Sequence, residues 1–99
     1  MRSQKNWGGT KELTMRVAVT GPSGYKYGLI RLNPTEHSFK KLKLTARSAN
    51  VLSLEISIDG VASANPAIGT EFDVFGKSIA VVVQAQINWD EQYVIISLS

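Results

Sequence analysis

Cysteine is absent from this 99-residue chain, and histidine occurs only once, as His37. Without cysteine the chain can form no disulfide, thiolate nucleophile or cysteine-ligated zinc site, and its redox compartment stays open. His37 has no carboxylates spaced around it as metal ligands, and no serine lies in a Gly-x-Ser-x-Gly elbow. Glu71 and Asp73 share a strand face, but a hydrolytic pair also needs a cleft and substrate-holding residues, and we expect these acids to form a solvated face. We therefore expect a loop position for His37, no enzyme activity, no metal and no cofactor.

Long apolar runs are also absent. The longest is Ile79–Val83, whereas a membrane-spanning helix needs roughly 18 apolar residues. The N-terminus is charged and has no apolar signal core, so we expect neither a membrane span nor secretion, and a cytoplasmic location. The length suits one small domain with one core.

Acidic residues are scarce in the first half of the chain, and basic residues are scarce in the second half. Residues 1–50 carry ten Lys and Arg against two acids, a net charge of +8. Residues 51–99 carry one base, Lys77, against six acids, a net charge of −5. A basic half favours a phosphate-bearing ligand, a nucleic acid or an acidic protein surface as partner. The same split also allows attraction between the halves within one fold, or between two molecules.

The hydrophobic pattern has a period of two, which is typical of β-strands. It predicts an all-β fold, a small antiparallel barrel or sandwich of about six to seven strands with at most one short helical turn. Residues 1–13 read as a flexible basic N-terminal arm, and residues 14–99 as a single β-barrel domain. The predicted strands cover residues 15–20, 25–32, 39–46, 51–58, 70–75, 78–87 and 92–98.

Turn signals punctuate these strands. Asn33-Pro34-Thr35-Glu36 predicts one helical turn, and Asp59-Gly60 predicts a tight hairpin turn. Residues 61–69 resemble a loop more than a strand, and sequential pairing is expected from Val51 onward. In the strand 51–58 we expect one inward face, which comprises Leu52, Leu54, Ile56 and Ile58.

A cationic set with interleaved aromatics suggests a nucleic-acid surface. Cations neutralise phosphates, and aromatic faces stack on bases, as on small nucleic-acid-binding barrels. The alternative is an ordinary solvated sheet whose lysines guard its edges. The candidate nucleic-acid residues are Lys26, Tyr27, Arg31, Lys40, Lys41 and Lys43.

The hairpin Glu55-x-Ser57-x-x-Gly60 resembles the signature of PilZ domains, Asp/Asn-x-Ser-x-x-Gly. The resemblance covers about the C-terminal half, and implies a six-stranded barrel that binds cyclic di-GMP. Glu55 replaces the expected Asp or Asn, and the family's Arg-x-x-x-Arg motif has no match. Lysine cannot copy the planar bidentate contacts of arginine. The ligand-binding residues that the resemblance implies are Lys40, Lys41, Arg47, Ser57 and Gly60.

A PilZ-like chain without the arginine motif is implied to act as a protein-interaction module. We therefore predict a non-catalytic binding or adaptor module, with a protein partner or weak cyclic dinucleotide binding. Nucleic-acid binding is the first alternative. The second is a viral, assembly or inhibitor protein with complementary charged faces. With any of these functions, a homodimer could cover an exposed strand edge.

Overall fold

Eight antiparallel strands build the protein, in a computed structural model that describes residues 13–19, 25–85 and 92–99. The strands are β1 (Leu13–Val19), β2 (Lys26–Leu32), β3 (Lys41–Arg47), β4 (Val51–Ile58), β5 (Val61–Ala64), β6 (Glu71–Asp73), β7 (Ile79–Ala85) and β8 (Gln92–Leu98). One 3-10 turn, Pro34–Glu36, precedes β3. The predicted arm, apart from Leu13, and the predicted turns at 21–24 and 88–91 lie outside the described residues.

The strands form two four-stranded sheets that pack face to face. Sheet 1 has the order β1-β8-β3-β6, and sheet 2 has the order β2-β7-β4-β5. The all-β prediction is confirmed, and of its two architectures the sandwich is the one observed. No helix of sufficient length and hydropathy for a membrane crossing occurs in the described ranges.

The core lies between the two sheets. Alternate residues of β7 and β8 are buried, since every second side chain of a strand points to the same face. Each sheet contributes fully buried apolar side chains to one cluster, among them Leu42, Leu44 and Ile96 from sheet 1 and Leu54, Ile56 and Val81 from sheet 2. The other face of β3 carries exposed lysines, Lys41 and Lys43.

Three register shifts interrupt the alternation. They fall between Gly28 and Ile30 in β2, between Leu44 and Ala46 in β3, and between Val51 and Ser53 in β4. An extra residue in one strand moves all later side chains to the opposite face. Leu52 is the extra residue in β4, and its side chain is 48% exposed while Val51 is 3% exposed. The prediction that Leu52 faces the core is wrong for this reason.

The C-terminal half does not pair sequentially. β4 pairs with β5 and β7, but β6 crosses to sheet 1 and pairs with β3. The expected sequential pairing from Val51 onward is therefore wrong beyond β5. Residues 61–64, which were expected to be mostly loop, form β5, a strand that the sequence pattern did not predict. The predicted helical turn and the Asp59-Gly60 hairpin turn are both present, the latter with positive φ at both residues.

Candidate functional site

The lysines of β3 lie opposite acids of β6 on the outer face of sheet 1. Lys41 is in register with Asp73, and Lys43 with Glu71. The Lys41 ammonium donates to Asp73 Oδ1 at 2.5 Å, which raises the pKa of Lys41 and lowers the pKa of Asp73. Oppositely charged residues directly across an antiparallel pair stabilise the pairing modestly. The charge split in the sequence is thus partly matched inside the fold.

Three of the other candidate nucleic-acid residues lie on sheet 2. Lys26 and Arg31 are exposed on β2 and in register with Gln84 and Ala80, which belong to the outward-facing set of β7. Tyr27 is half-buried and packs against the core, so it does not share the outer face with Lys26. The lysines of β3 point outward from the opposite sheet. The candidate set is therefore divided between two outer faces of the sandwich, with exposed Lys40 just before β3.

Arg47 joins the two sheets through hydrogen bonds. Its Nη2 donates to the Val51 carbonyl at 2.8 Å, and its Nη1 donates to Asn65 Oδ1 at 2.8 Å. The same Asn65 oxygen accepts the Leu54 backbone N–H at 3.0 Å. The register shift around Thr45 puts Arg47 in register with buried Val94, and the guanidinium reaches Val51 of β4 and Asn65, which follows β5. Arg47 thus clamps the irregular start of β4, with one N–H of each terminal nitrogen bonded to a protein group.

Ser57 and Gly60 border a shallow concavity of about 360 Å³ on the outer face of sheet 2. Arg31 lies in the same transverse row as Ser57, with Ala80 of β7 between them. Small side chains on the neighbouring strands leave this space open. Of the PilZ-like residues, the structure brings Ser57 and Gly60 together and adds Arg31. Lys41 lies on β3 of sheet 1, and Lys40 lies just before this strand. Arg47 forms the hydrogen bonds to Val51 and Asn65 instead.

His37 is buried and is held by hydrogen bonds at both ring nitrogens. Nδ1 accepts the Phe39 backbone N–H at 3.1 Å, so the ring proton resides on Nε2, which donates to the Lys77 carbonyl at 2.8 Å. The ring also stacks on Phe39, with 5.9 Å between centroids. The residue is 6% exposed and ties the segment before β3 to the segment before β7. Nowhere in the described ranges do three or more His, Asp or Glu side chains form a group that could hold a metal ion.

Among the described strands, β5 is an edge of sheet 2 without protective residues. Of the edge strands whose side chains are described, β2 carries Lys26, Arg31 and a bulge, and β6 carries two acids. β5 has the sequence Val-Ala-Ser-Ala, with no charge, proline or bulge, and Val61 is 71% exposed. Natural sheets normally protect their edges with such devices, because an unpaired backbone is a template for another strand.

A groove of about 450 Å³ separates β5 from β6 at this open side of the sandwich. Its apolar lining is formed by Ile58, Val61 and Phe72. Its charged lining comprises Asp59, Glu71, Asp73 and Lys77, a formal net charge of −2 that the ion pair of Asp73 with Lys41 reduces. The groove and the free edge of β5 together are called the β5–β6 groove below. This combination suits an extended segment that has apolar and basic side chains.

The sequence pattern did not indicate this groove, because residues 61–69 were expected to be mostly loop. The signal was present in Asp59-Gly60, since a two-residue type I′ turn joins two paired strands and thus requires a strand after Gly60.

Comparison of the chain with family models, curated proteins and solved structures finds no match to any of them.

Proposed function

We propose that this protein is a non-catalytic interaction module that binds an extended, basic segment of a partner protein by strand addition at β5. One observation carries the proposal: β5 is an exposed edge without protective residues, beside a groove with an apolar floor and an acidic rim. Strand addition supplies affinity through backbone hydrogen bonds and selectivity through alternate side chains.

The turn geometry identifies the backbone groups available to the partner. Ile58 and Val61 flank a two-residue turn and therefore form a hydrogen-bonded pair. The alternation of an antiparallel ladder then directs the N–H and C=O groups of Val61 and Ser63 toward β4. It directs those of Ala62 and Ala64 toward the free edge, where an added strand would pair with them.

The groove also selects for charge. An added strand would place alternate side chains over Val61 and Phe72, beside the rim acids Asp59 and Glu71. Basic side chains there gain from the net negative lining, whereas acidic ones are repelled. The partner segment is therefore expected to alternate apolar and basic residues.

The test uses a synthetic peptide of about seven residues that alternates lysine and valine, a typical strand length. We expect it to shift the backbone amide NMR signals of β5 and β6, and a peptide that alternates glutamate and valine to shift none. Ala62→Pro removes the outward N–H without removing an N–H from the β4 ladder, and should abolish binding. Ala62→Val keeps that N–H and is the matched control.

Two outcomes contradict the proposal. One is equal affinity of the lysine peptide for Ala62→Pro and Ala62→Val. The other is a set of shifts that maps to β2 at the opposite edge of sheet 2.

Nucleic-acid binding is less well supported by the geometry. Its candidate cations point outward from two different sheets, and those on β3 face the acids of β6. A single strand of nucleic acid is held by a continuous cationic groove with stacked aromatics. Tyr27 packs against the core rather than beside Lys26.

A further inference from the structure

The concavity on the outer face of sheet 2 has a cation on one side and an anion on the other. Arg31 on β2 is exposed, Glu55 on β4 is half-buried, and both line this space of about 360 Å³. Neither side chain forms a hydrogen bond or an ion pair with any residue that the structure describes. A guanidinium and a carboxylate are therefore both available to a ligand in the same concavity.

The strand register gives the relative positions of the two charges. Arg31 is in register with Ala80, which is in register with Ser57, so these three residues form one row across β2, β7 and β4. Glu55 lies two residues from Ser57 along β4, and thus on the same face, beside Val82 of β7. Ala80 and Val82 therefore form the floor between the two charges.

The separation of the charges follows from the dimensions of a sheet. Arg31 and Ser57 lie two strand spacings apart, about 9.6 Å, and Glu55 lies about 6.7 Å from Ser57 along the strand. The Cα atoms of Arg31 and Glu55 are thus roughly 12 Å apart. Strand side chains stand roughly perpendicular to the sheet, so the charged groups keep a similar separation. Two charge-assisted hydrogen bonds of about 2.8 Å each then leave roughly 6 Å for a ligand.

A dipeptide with free ends has the charges and the length that this space requires. A peptide extends by at most about 3.3–3.6 Å per residue, so a single amino acid is too short and a tripeptide is too long. The ligand carboxylate can accept two parallel hydrogen bonds from Arg31, and its ammonium can donate to Glu55. The Ser57 hydroxyl, in the same row as Arg31, can donate to the central peptide carbonyl.

We propose that this concavity binds a short zwitterionic peptide of dipeptide length, with its carboxylate at Arg31 and its ammonium at Glu55. The site is separate from the β5–β6 groove, since neither residue lines that groove. The inference therefore goes beyond the proposed function and does not depend on it.

The test titrates the full chain with dialanine and follows the backbone amide NMR signals of Ser57, Ala80 and Val82. We expect these signals to shift with dialanine, and to require higher concentrations of alanine or trialanine. N-acetyl-dialanine lacks the ammonium and dialanine amide lacks the carboxylate. Each should bind about tenfold more weakly, because each loses one hydrogen bond to a charged group.

Substitutions in the protein test the same contacts from the other side. Arg31→Gln and Glu55→Gln should each weaken dialanine binding about tenfold. Lys26→Gln is the matched control, because it removes a cation from the same face of β2 but lies two rows away from Arg31. It should leave the affinity unchanged. Ala80→Leu keeps both charges but fills the floor between them, and should abolish binding. Unchanged urea midpoints would show that these variants are folded.

Three results would overturn the inference. The first is equal affinity for dialanine and dialanine amide, and the second is equal affinity of the native chain and Arg31→Gln for dialanine. The third is the same set of shifts with sodium acetate at equal concentration, because a single charge would then suffice. The lysine–valine peptide is followed by signals of β5 and β6, whereas dialanine is followed by signals of β4 and β7. Failure of one proposal is therefore distinguishable from failure of the other.

Discussion

Arg47 allows the sharpest test of the structural interpretation. The sequence resemblance implies that it binds a ligand, whereas in the structure it donates hydrogen bonds to Val51 and Asn65. Arg47→Met keeps an apolar stem of similar length but removes the donors to the Val51 carbonyl and to Asn65 Oδ1. A hydrogen bond from a charged donor contributes about 1.5–3 kcal/mol, and less where a partner is exposed, as Asn65 is. We expect the free energy of unfolding to fall by about 2 kcal/mol in total.

Urea denaturation measures this loss. For a small protein the dependence of stability on urea is about 1–3 kcal/mol per molar, so the midpoint should drop by roughly 1 M. Arg47→Lys should recover little, because lysine lacks the planar fork that reaches two acceptors.

A double-mutant cycle isolates the contact between the side chains. Asn65→Gly removes the amide and suits the positive φ of 48° at this position. We expect a coupling of about 0.5–1.5 kcal/mol between Arg47→Met and Asn65→Gly. Zero coupling, together with an unchanged urea midpoint for Arg47→Met, would refute the clamp. Binding of the lysine–valine peptide should be unaffected by Arg47→Met, since Arg47 does not line the groove.

Three further predictions follow from burial and charge. His37→Ala should cost about 2–4 kcal/mol in chemical denaturation, because it opens a cavity and leaves the Phe39 N–H and Lys77 C=O without their ring partner. Val51→Ala should lower stability by about 2 kcal/mol, whereas Leu52→Thr should change it by less than about 0.5 kcal/mol, which reverses the ranking expected from alternation. Lys41 lowers the Asp73 pKa, so the stabilisation from the pair is present above the ordinary aspartate range and is lost as pH falls through the lowered value. The stability difference between native protein and Asp73→Asn should therefore shrink in acid, and a pH-independent difference would contradict this.

Local alternation predicted most of the strands. A period of two predicts that Lys41 and Lys43 point outward and that Leu42 and Leu44 point inward. The structure confirms this, because the two lysines are exposed and the two leucines are buried. The all-β class and the tight turns rest on the same short-range signals. Register shifts escaped prediction, because an extra residue such as Leu52 looks the same in sequence as a regular one. Its effect depends on the partner strand, which the local pattern does not identify.

Long-range pairing explains the other differences. The exchange of β6 into sheet 1 places Glu71 and Asp73 opposite the lysines of β3, and nothing within either segment specifies that choice. The candidate cations were therefore grouped by their proximity in sequence, whereas the sandwich separates them into two outer faces. The β5–β6 groove depends on the same exchange, because it lies between edge strands that belong to different sheets.

The position of β8 has a consequence for synthesis on the ribosome. β8 lies in the interior of sheet 1, between β1 and β3, and pairs with both. All four strands of sheet 2 precede it in the chain, so that sheet can assemble first as the nascent chain emerges. β1 must wait for residues 92–98, which are separated from it by more than seventy positions. Until β8 emerges during translation, only β3 and β6 of sheet 1 can cover part of the inner face of sheet 2. This is the interval in which a chaperone would be most needed.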